Sequence, residues 1–462
     1  MTAQVSPLWR FVVTTLGGAA LTYLDHLASD KQITPKLGEA LEVTLTVPSD
    51  NSQVNTLHTD GFPFVAEGVR QLIGFRQGLS GAYSCKAACL IMQVSDASGT
   101  GDARTTVTAW DPWRYLFSVP VFQSSAATVG KDGPAGTNGA LIDKDNIYYP
   151  SSMGANEVIF DILVTTIAFM SGTAPNAAQA LFLDITSGTI ETCPAPAYGS
   201  ATPEGQWEIQ QGTSVGQALQ DIVASGACDI VLSPIYDTVR PGILCELNIY
   251  AEGLGGNGAG TYRPGAFFSW DMPGRSLVGV ENLYDGTERA NHIQYYYGQG
   301  GPPATSQIDS SSIAVYGEYW AQQFWPGNKI KPAVEVIAAN QLSLRSTYKE
   351  TLTVHPAPER SPEPFVDYYI GDRVPVYVSD NMRQQLPPAG DIDRVWQRVY
   401  GIPVQIDDNG VETVTELLVG PVGPAPPVTL AGVNQGLNSQ TSIPTRASIP
   451  QRGGSVQAVR GG

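Results

Sequence analysis

The run Gly253-Leu254-Gly255-Gly256-Asn257-Gly258 has the G-x-G-x-x-G spacing with which a backbone approaches a pyrophosphate at a helix N-terminus. That chemistry needs a helix to start there. The chain instead continues AGTYRPGAFF, with Pro264 and no helical period, so the run reads as a flexible loop. Five cysteines, Cys85, Cys89, Cys193, Cys228 and Cys245, are odd in number and irregular in spacing, which implies no disulfide framework. Cys85 and Cys89 lie four apart, but in a strand-like context. His26, His58, His292 and His355 are scattered, with no acid or cysteine at ligand spacing, whereas a structural zinc needs four ligands. The cysteines read better as buried small hydrophobes.

Other signatures are missing as well. The chain has no G-x-S-x-G elbow, H-E-x-x-H, P-loop or Cys-His signature. Asp391/Asp393 and Asp407/Asp408 fall in predicted turns, where aspartate is favoured for backbone reasons. A glycosidase would need two carboxylates facing one cleft, which a single sequence does not place. Tyr295–Tyr297, Trp320/Phe324/Trp325 and Tyr368-Tyr369 suit core packing, a subunit interface or a sugar-stacking platform. The expectation is therefore no enzyme, with no catalytic, cofactor-binding or metal-binding residue.

The elements that would position these groups are mostly strands. Val374, Val376 and Val378 alternate with Arg373, Pro375 and Tyr377, the pattern of a strand with one buried face. Ile402, Val404 and Ile406 repeat it, and Asp408-Asn409-Gly410 predicts a type I′ hairpin returning along 411–419. Pro375 and Pro403 each lack a ladder donor and suggest edges or bulges. Toward the N-terminus, 9–15, 41–47, 71–77, 88–94 and 104–110 read as strands separated by turns. Asp111-Pro112 caps a short helix. Helices are expected at 156–171, closed by Gly172, and at 214–225, with a Ser214/Gln217 capping box and Gly226 as its stop. Strands 229–235 and 242–250 follow. Further strands are expected at 267–270, 275–284 and 291–297, and helical stretches at 318–324 and 333–346.

Composition agrees with a turn-rich β protein: 462 residues hold Gly 49, Pro 34 and only 15% charged residues. Lys+Arg 26 against Asp+Glu 43 gives a net charge of −17, which argues against a protein that tracks phosphates. It leaves open a conduit past which nucleic acid slides. Residues 158–170 are too short and too interrupted to span a bilayer, and the start lacks a basic, signal-like segment. A soluble cytosolic assembly with free thiols is expected.

Three short motifs occur in order: Gly371-Asp372-x-Val374-x-Val376, Arg394-Val395 or Arg398-Val399, and Asp408-x-Gly410-x-Glu412. Near the other end, a Trp9-x-Phe11 strand, a polar turn and an alternating strand precede a short strand ending in Arg76, and Asp111-Pro112 follows. This arrangement resembles the tail hub proteins, often called minor tail proteins, of long non-contractile-tailed phages (siphophages) of actinobacteria. The resemblance covers most of 9–419. It implies a mainly β, multidomain fold with an α+β part: tail-tube-like β-barrel or sandwich domains, a small C-terminal β-barrel-like domain and a disordered tail. The expected divisions are 1–123 (tube-like β), 124–262 (α+β), 263–365 (second β-rich hub part with short helices), 366–420 (C-terminal β module) and 421–462 (extended tail).

By the same resemblance the chain is a virion protein at the distal tail tip. It would form a homotrimer whose two tube-like domains per chain make a pseudo-sixfold ring. Its neighbours would be the distal tail protein, the tape measure protein and tip or fibre proteins, with viral DNA only in transit. No cofactor is implied. Gly371, Asp372, Asn409 and Gly410 are expected at fold-determining turns, while 253–265 and the tail look like additions to the family pattern. A host-surface carbohydrate-binding adhesin is the alternative, and a tail-associated cell-wall hydrolase a further one.

Overall fold

The N-terminal strands are β1 (Trp9–Thr15), β2 (Ala20–Tyr23), β3 (Ser29–Thr34) and β4 (Glu42–Pro48), of which β4 alternates most regularly. Helix α1 (Ser52–Asn55) leads to β5 (Arg70–Gln77), β6 (Tyr83–Ser98), β7 (Ala103–Trp110) and α2 (Pro112–Leu116). Next come β8 (Thr128–Val129), β9 (Asn146–Tyr149), α3 (Ala155–Ser171), β10 (Leu183–Asp184) and β11 (Trp207–Gln210). They are followed by α4 (Val215–Ala224), β12 (Cys228–Pro234) and β13 (Cys245–Ala251). Strands β14 (Phe268–Ser269), β15 (Leu277–Asp285), β16 (His292–Tyr297) and β17 (Thr305–Ile308) precede α5 (Ser310–Tyr316). The last are β18 (Trp320–Trp325), β19 (Lys349–Pro356), β20 (Arg373–Tyr377), β21 (Trp396–Gly401), β22 (Val404–Ile406), β23 (Glu412–Val414) and β24 (Leu417–Pro421).

This computed structural model describes residues 8–25, 27–78, 80–98, 103–122, 128–129, 146–149, 153–171, 181–193, 207–210, 212–224, 228–237, 239–251, 259–270, 275–285, 289–297, 305–325, 342, 345–346, 349–358, 360–377, 396–408 and 410–421. The fold is mainly β with an α+β part, and it contains several sheets and a nearly closed barrel. One antiparallel sheet of nine strands runs β2-β1-β5-β6-β7-β4-β3-β22-β23. In β4, Val43, Leu45 and Val47 are buried while Glu42 is exposed, as the alternation predicts. Strands β22 and β23 join this sheet through β3, so the chain returns to its N-terminal sheet near its C-terminal end.

The centre of that sheet is covered on both faces. Leu72, Ala87, Cys89 and Ile91 enter one core with Phe11, Val13, Leu45 and Val107. Their neighbours Ile73, Ala88 and Leu90 enter a second. The first core continues into a six-stranded sheet, β14-β20-β21-β24-β19-β15, through Val374, Val399, Leu352 and Val419. The second is filled by Ile159, Ile162 and Leu163 of α3, Leu219 and Ile222 of α4, and Ile230 and Leu247 of the β12–β13 pair. Burying each such side chain contributes roughly 1.5–3 kcal/mol, so both faces of β5 and β6 stabilise the fold.

Helix starts follow their caps. Asp111 accepts from Trp113 N–H at 3.1 Å, with Pro112 at the first helical position of α2. Ser214 accepts from Gln217 N–H at 3.2 Å, but Gln217 Nε2 donates to Asp221 at 2.8 Å, so α4 has half of a capping box. The expected helix stops Gly172 and Gly226 lie outside the described residues, as does nearly all of the helix expected at 333–346.

Four local expectations are corrected. Strand β20 is buried on both faces (only its last residue, Tyr377, is exposed), and it is interior to its sheet. It is therefore no edge strand. Pro375 is accommodated because it falls between the Tyr262↔Arg373 bridge and the Phe268↔Val376 pairing, where the ladder is interrupted. Pro403 sits between β21 and β22, where the chain leaves one sheet for another. Residues 320–325 form β18, parallel to β16, rather than a helix: Trp320 and Phe324 also satisfy a period of two, and ladder pairing decides the outcome.

The hairpin at 407–411 is the fourth. Asp407 N–H donates to Val411 O at 3.1 Å, Gly410 N–H donates to Asp407 O at 3.0 Å, and Gly410 has φ +79°. This is the three-residue loop closed by a left-handed glycine, one residue longer than the two-residue type I′ turn that the Asn-Gly step suggests. Asn409 lies outside the described residues.

Candidate functional site

The polar groups that tie the sheets together form two buried clusters. In the first, Arg76 near the end of β5 is only 2% exposed yet charged. Its Nε and Nη2 donate to the two carboxylate oxygens of Glu412 on β23 at 2.6 and 2.8 Å. Nη2 also pairs with Glu363, and Trp9 Nε1 donates to Glu412 as well. Burial works against the Arg76 charge, but the hydrogen bonds and charge of Glu412, then of Glu363, outweigh it and hold its pKa above the ordinary value.

In sheet order β23 is the last strand while β1 and β5 are second and third. A side chain reaching from β23 to both therefore means that the sheet has curled until its ends meet. Trp9, Arg76 and Glu412 are the clasp across that gap, and Phe365 packs edge-on against Trp9 beside it at 6.0 Å.

The second cluster joins β12 to β20 and β21. Arg398, 0% exposed, pairs with Asp229, 1% exposed. The backbone of Ala259 lies between them: its N–H donates to Asp229 at 2.6 Å, and its carbonyl accepts from Arg398 at 3.3 Å. Asp372 then holds the same segment, accepting from Thr261 N–H at 2.7 Å, Arg263 Nε at 2.9 Å and Tyr369 N–H at 2.9 Å. Gly260 and Gly371, at φ +89° and +84°, let the two backbones touch. A Cβ on Gly260 would fall 2.2 Å from the Gly371 carbonyl carbon.

The residues singled out from sequence thus separate. Gly371, Asp372 and Gly410 occupy turn positions, and Arg76, Glu412 and Arg398 do more than the motifs alone indicate. Arg394, Val395, Val378, Asp391, Asp393 and Gly253–Gly258 lie outside the described residues. Asp407 accepts from Val411 N–H at 2.7 Å, a turn role.

Cys89, Cys193, Cys228 and Cys245 are buried, and burial pushes the thiols of Cys89 and Cys245 well above their ordinary range. Burial likewise moves the half-buried Cys85 up to about 12. Tyr368 is buried, whereas Tyr369 and Trp320 are 37% and 52% exposed.

Two of the histidines meet acids in space. His58 lies 3.3 Å from Asp60, and His292 lies 2.8 Å from Glu318, an acid 26 residues away that spacing in the sequence could not associate with it. His26 lies outside the described residues. Among the described residues no group of three or more His, Cys, Asp or Glu could hold a metal ion, and no helix is long and apolar enough to cross a membrane. One cleft, of about 270 Å³, is lined by Val54, Phe62, Val65, Glu67, Asp96 and Thr105.

This fold has a counterpart among solved structures. The tail protein of Neisseria meningitidis MC58 superposes with a TM-score of 0.52 at 13% identity, over 91% of this chain and 98% of that one. The chain therefore has a tail-protein fold. A 43 kDa prophage tail protein from Shewanella oneidensis matches at 0.49 and 10% identity, over 90% and 98% of the two chains. A prophage tail protein from Listeria monocytogenes matches at 0.46 and 9%, over 89% and 94%. No protein-family model and no curated protein matches the sequence.

Proposed function

We propose that the chain is a tail hub: a structural virion protein that closes the distal end of a phage tail tube and organises the tip proteins below it. The observation that carries the reading is the tail-protein fold, which extends over nearly the whole length of both superposed chains. The order of motifs supports it, because Arg76 and Glu412, which stand at the two ends of the resemblance, are the pair that closes the curled sheet. In this reading three copies form the ring, each contributing two tube-like β parts, with the divisions at 123, 262, 365 and 420 expected from sequence. The distal tail protein and the end of the tape measure protein lie above. Tip or fibre proteins lie below, and DNA passes through the ring.

The net charge of −17 suits such a passage, since like charge keeps DNA from sticking to the wall. The mechanism is mechanical: the ring holds a closed tip and opens a path when attachment is sensed. Light scattering of the full chain, with negative-stain images of the same sample, tests the assembly. Threefold rings of three chain masses agree with the proposal, and a monomer at all concentrations in the presence of the distal tail protein contradicts it.

A further inference from the structure

The three-stranded sheet β17-β16-β18 carries a set of groups that neither cluster uses. Register and strand alternation put His292 and Gln294 of β16, Ser306 and Ile308 of β17, and Trp320 and Gln322 of β18 on one face. On that face His292 Nδ1 lies 2.8 Å from Glu318 Oε1, and His292 Nε2 lies 2.7 Å from Ser306 Oγ. An ionised carboxylate only accepts hydrogen bonds, so Nδ1 carries the hydrogen. A neutral imidazole then accepts at Nε2 from the serine hydroxyl.

Each member is held in place. The imidazole, in a residue only 8% exposed, stacks on Trp320 with ring centroids 3.4 Å apart and planes at 27°. Buried Asn291 grips the chain on both sides of Glu318: its Nδ2 donates to Gly317 O at 2.7 Å, and its Oδ1 accepts from Tyr319 N–H at 2.7 Å. Gly317, at φ +81°, turns the chain out of α5 toward that position. Asp309 N–H donates to Asn291 O, so the N–H groups of residues 305 and 307 also face β16, while those of Ser306 and Ile308 point to the outer edge of the sheet.

We propose that Ser306, His292 and Glu318 form a nucleophile, base and orienting acid that hydrolyse carboxylic esters. His292 Nε2 takes the hydroxyl proton as Ser306 Oγ bonds to the ester carbon, and the outward N–H of Ser306 faces the oxygen that gains negative charge. Collapse breaks the bond to the alcohol oxygen, which leaves with the proton from His292. Water, deprotonated by the same nitrogen, then adds to the acyl carbon, and the acid leaves as the bond to Ser306 Oγ breaks and His292 returns the proton to that oxygen. Glu318 touches the imidazole alone and is a positioning residue.

The substrate class follows from exposure. Ser306 is open to solvent and Trp320 beside the imidazole is 52% exposed, which fits a small acyl group borne on an extended polymer laid across the sheet. This chemistry does not depend on the tail-hub reading, and either can fail alone.

The test is labelling of the full chain with a fluorophosphonate, the adduct being mapped by mass spectrometry. The expected result is an adduct at Ser306, with a rate that falls about 100-fold or more in His292→Gln. In Glu318→Gln it falls at least about 10-fold, and Glu318→Asp recovers part of the loss, with the circular dichroism spectrum unchanged throughout. Glu318 is exposed, so its variants report on alignment rather than folding. A folded wild-type chain that acquires no adduct at Ser306, or one labelled equally fast in His292→Gln, overturns the proposal.

Discussion

Arg398 on β21 and Asp229 on β12 form an ion pair in the interior, with side chains 0% and 1% exposed and positions 169 apart in the sequence. Two charges withdrawn from water this completely are costly, and their attraction is retained only with further hydrogen bonds, which the Ala259 backbone supplies at 2.6 and 3.3 Å. The pair fixes how the α+β part joins the C-terminal strands.

Removing Asp229 takes this opposite charge away from buried Arg398. Asp229→Ala is expected to lower unfolding stability by about 3–5 kcal/mol in urea titration. The double variant Asp229→Leu/Arg398→Met, which removes both charges and keeps apolar volume, is expected to recover most of that loss.

At the barrel clasp the two acids on Arg76 differ in burial, and their contributions should differ accordingly. Glu412 is 7% exposed and bidentate, so Glu412→Ala is expected to cost about 3–5 kcal/mol. Glu363 is 42% exposed, and Glu363→Ala is expected to cost no more than about 1 kcal/mol. Equal losses in a denaturation series would contradict the assignment of Glu412 as the closing residue.

Backbone contact makes a separate prediction. At Gly260 both the left-handed φ and the 2.2 Å approach to Gly371 exclude a side chain, so Gly260→Ala is expected to cost more than about 2 kcal/mol. At Gly61, which also has positive φ but nothing within 4 Å of a built Cβ, Gly61→Ala is expected to cost about 1 kcal/mol. Thermal midpoints of the two variants, compared directly, check the difference.

Asp111 gives the stability a pH dependence. Burial raises its pKa to about 7, against the lowering effect of the hydrogen bonds from the backbone of Leu41, Trp113 and Arg114. The folded state therefore binds a proton that the unfolded state releases near pH 4, so this residue's contribution to stability falls as pH rises from about 4 to about 7. Asp111→Asn still caps α2 and is expected to flatten that part of the stability–pH curve. A curve unchanged in shape would contradict the assignment.

Much of the fold was readable locally, and the reason is visible in particular elements. The bounds of β1 follow from an apolar run stopped by Gly17-Gly18 and the Asp111-Pro112 start of α2 from capping, both of which act within a few residues. Sheet membership was not readable. Nothing near Val404 indicates that β22 pairs with Ile33 on β3, and a two-sided burial such as that of β20 depends on what packs on each face of its sheet. Trp320 was misread because its spacing to Tyr316 and Phe324 suits a helix as well as a strand.

The polar clusters were half legible. Arg76 and the Glu of Asp-x-Gly-x-Glu could be picked out as motif positions, but their meeting is a property of sheet closure. Likewise, His292, Ser306 and Glu318 converge only once β16, β17 and the loop before β18 are assembled; in the sequence His292 is one of four scattered histidines, and nothing marks Ser306 or Glu318 as its neighbours.

The proposed place of the chain at the tip of a phage tail can be checked by gold-antibody labelling of intact particles, read by electron microscopy. Gold confined to the distal end of the tail is expected. Gold distributed along fibres, or particles that carry none while the free chain is recognised, would contradict it.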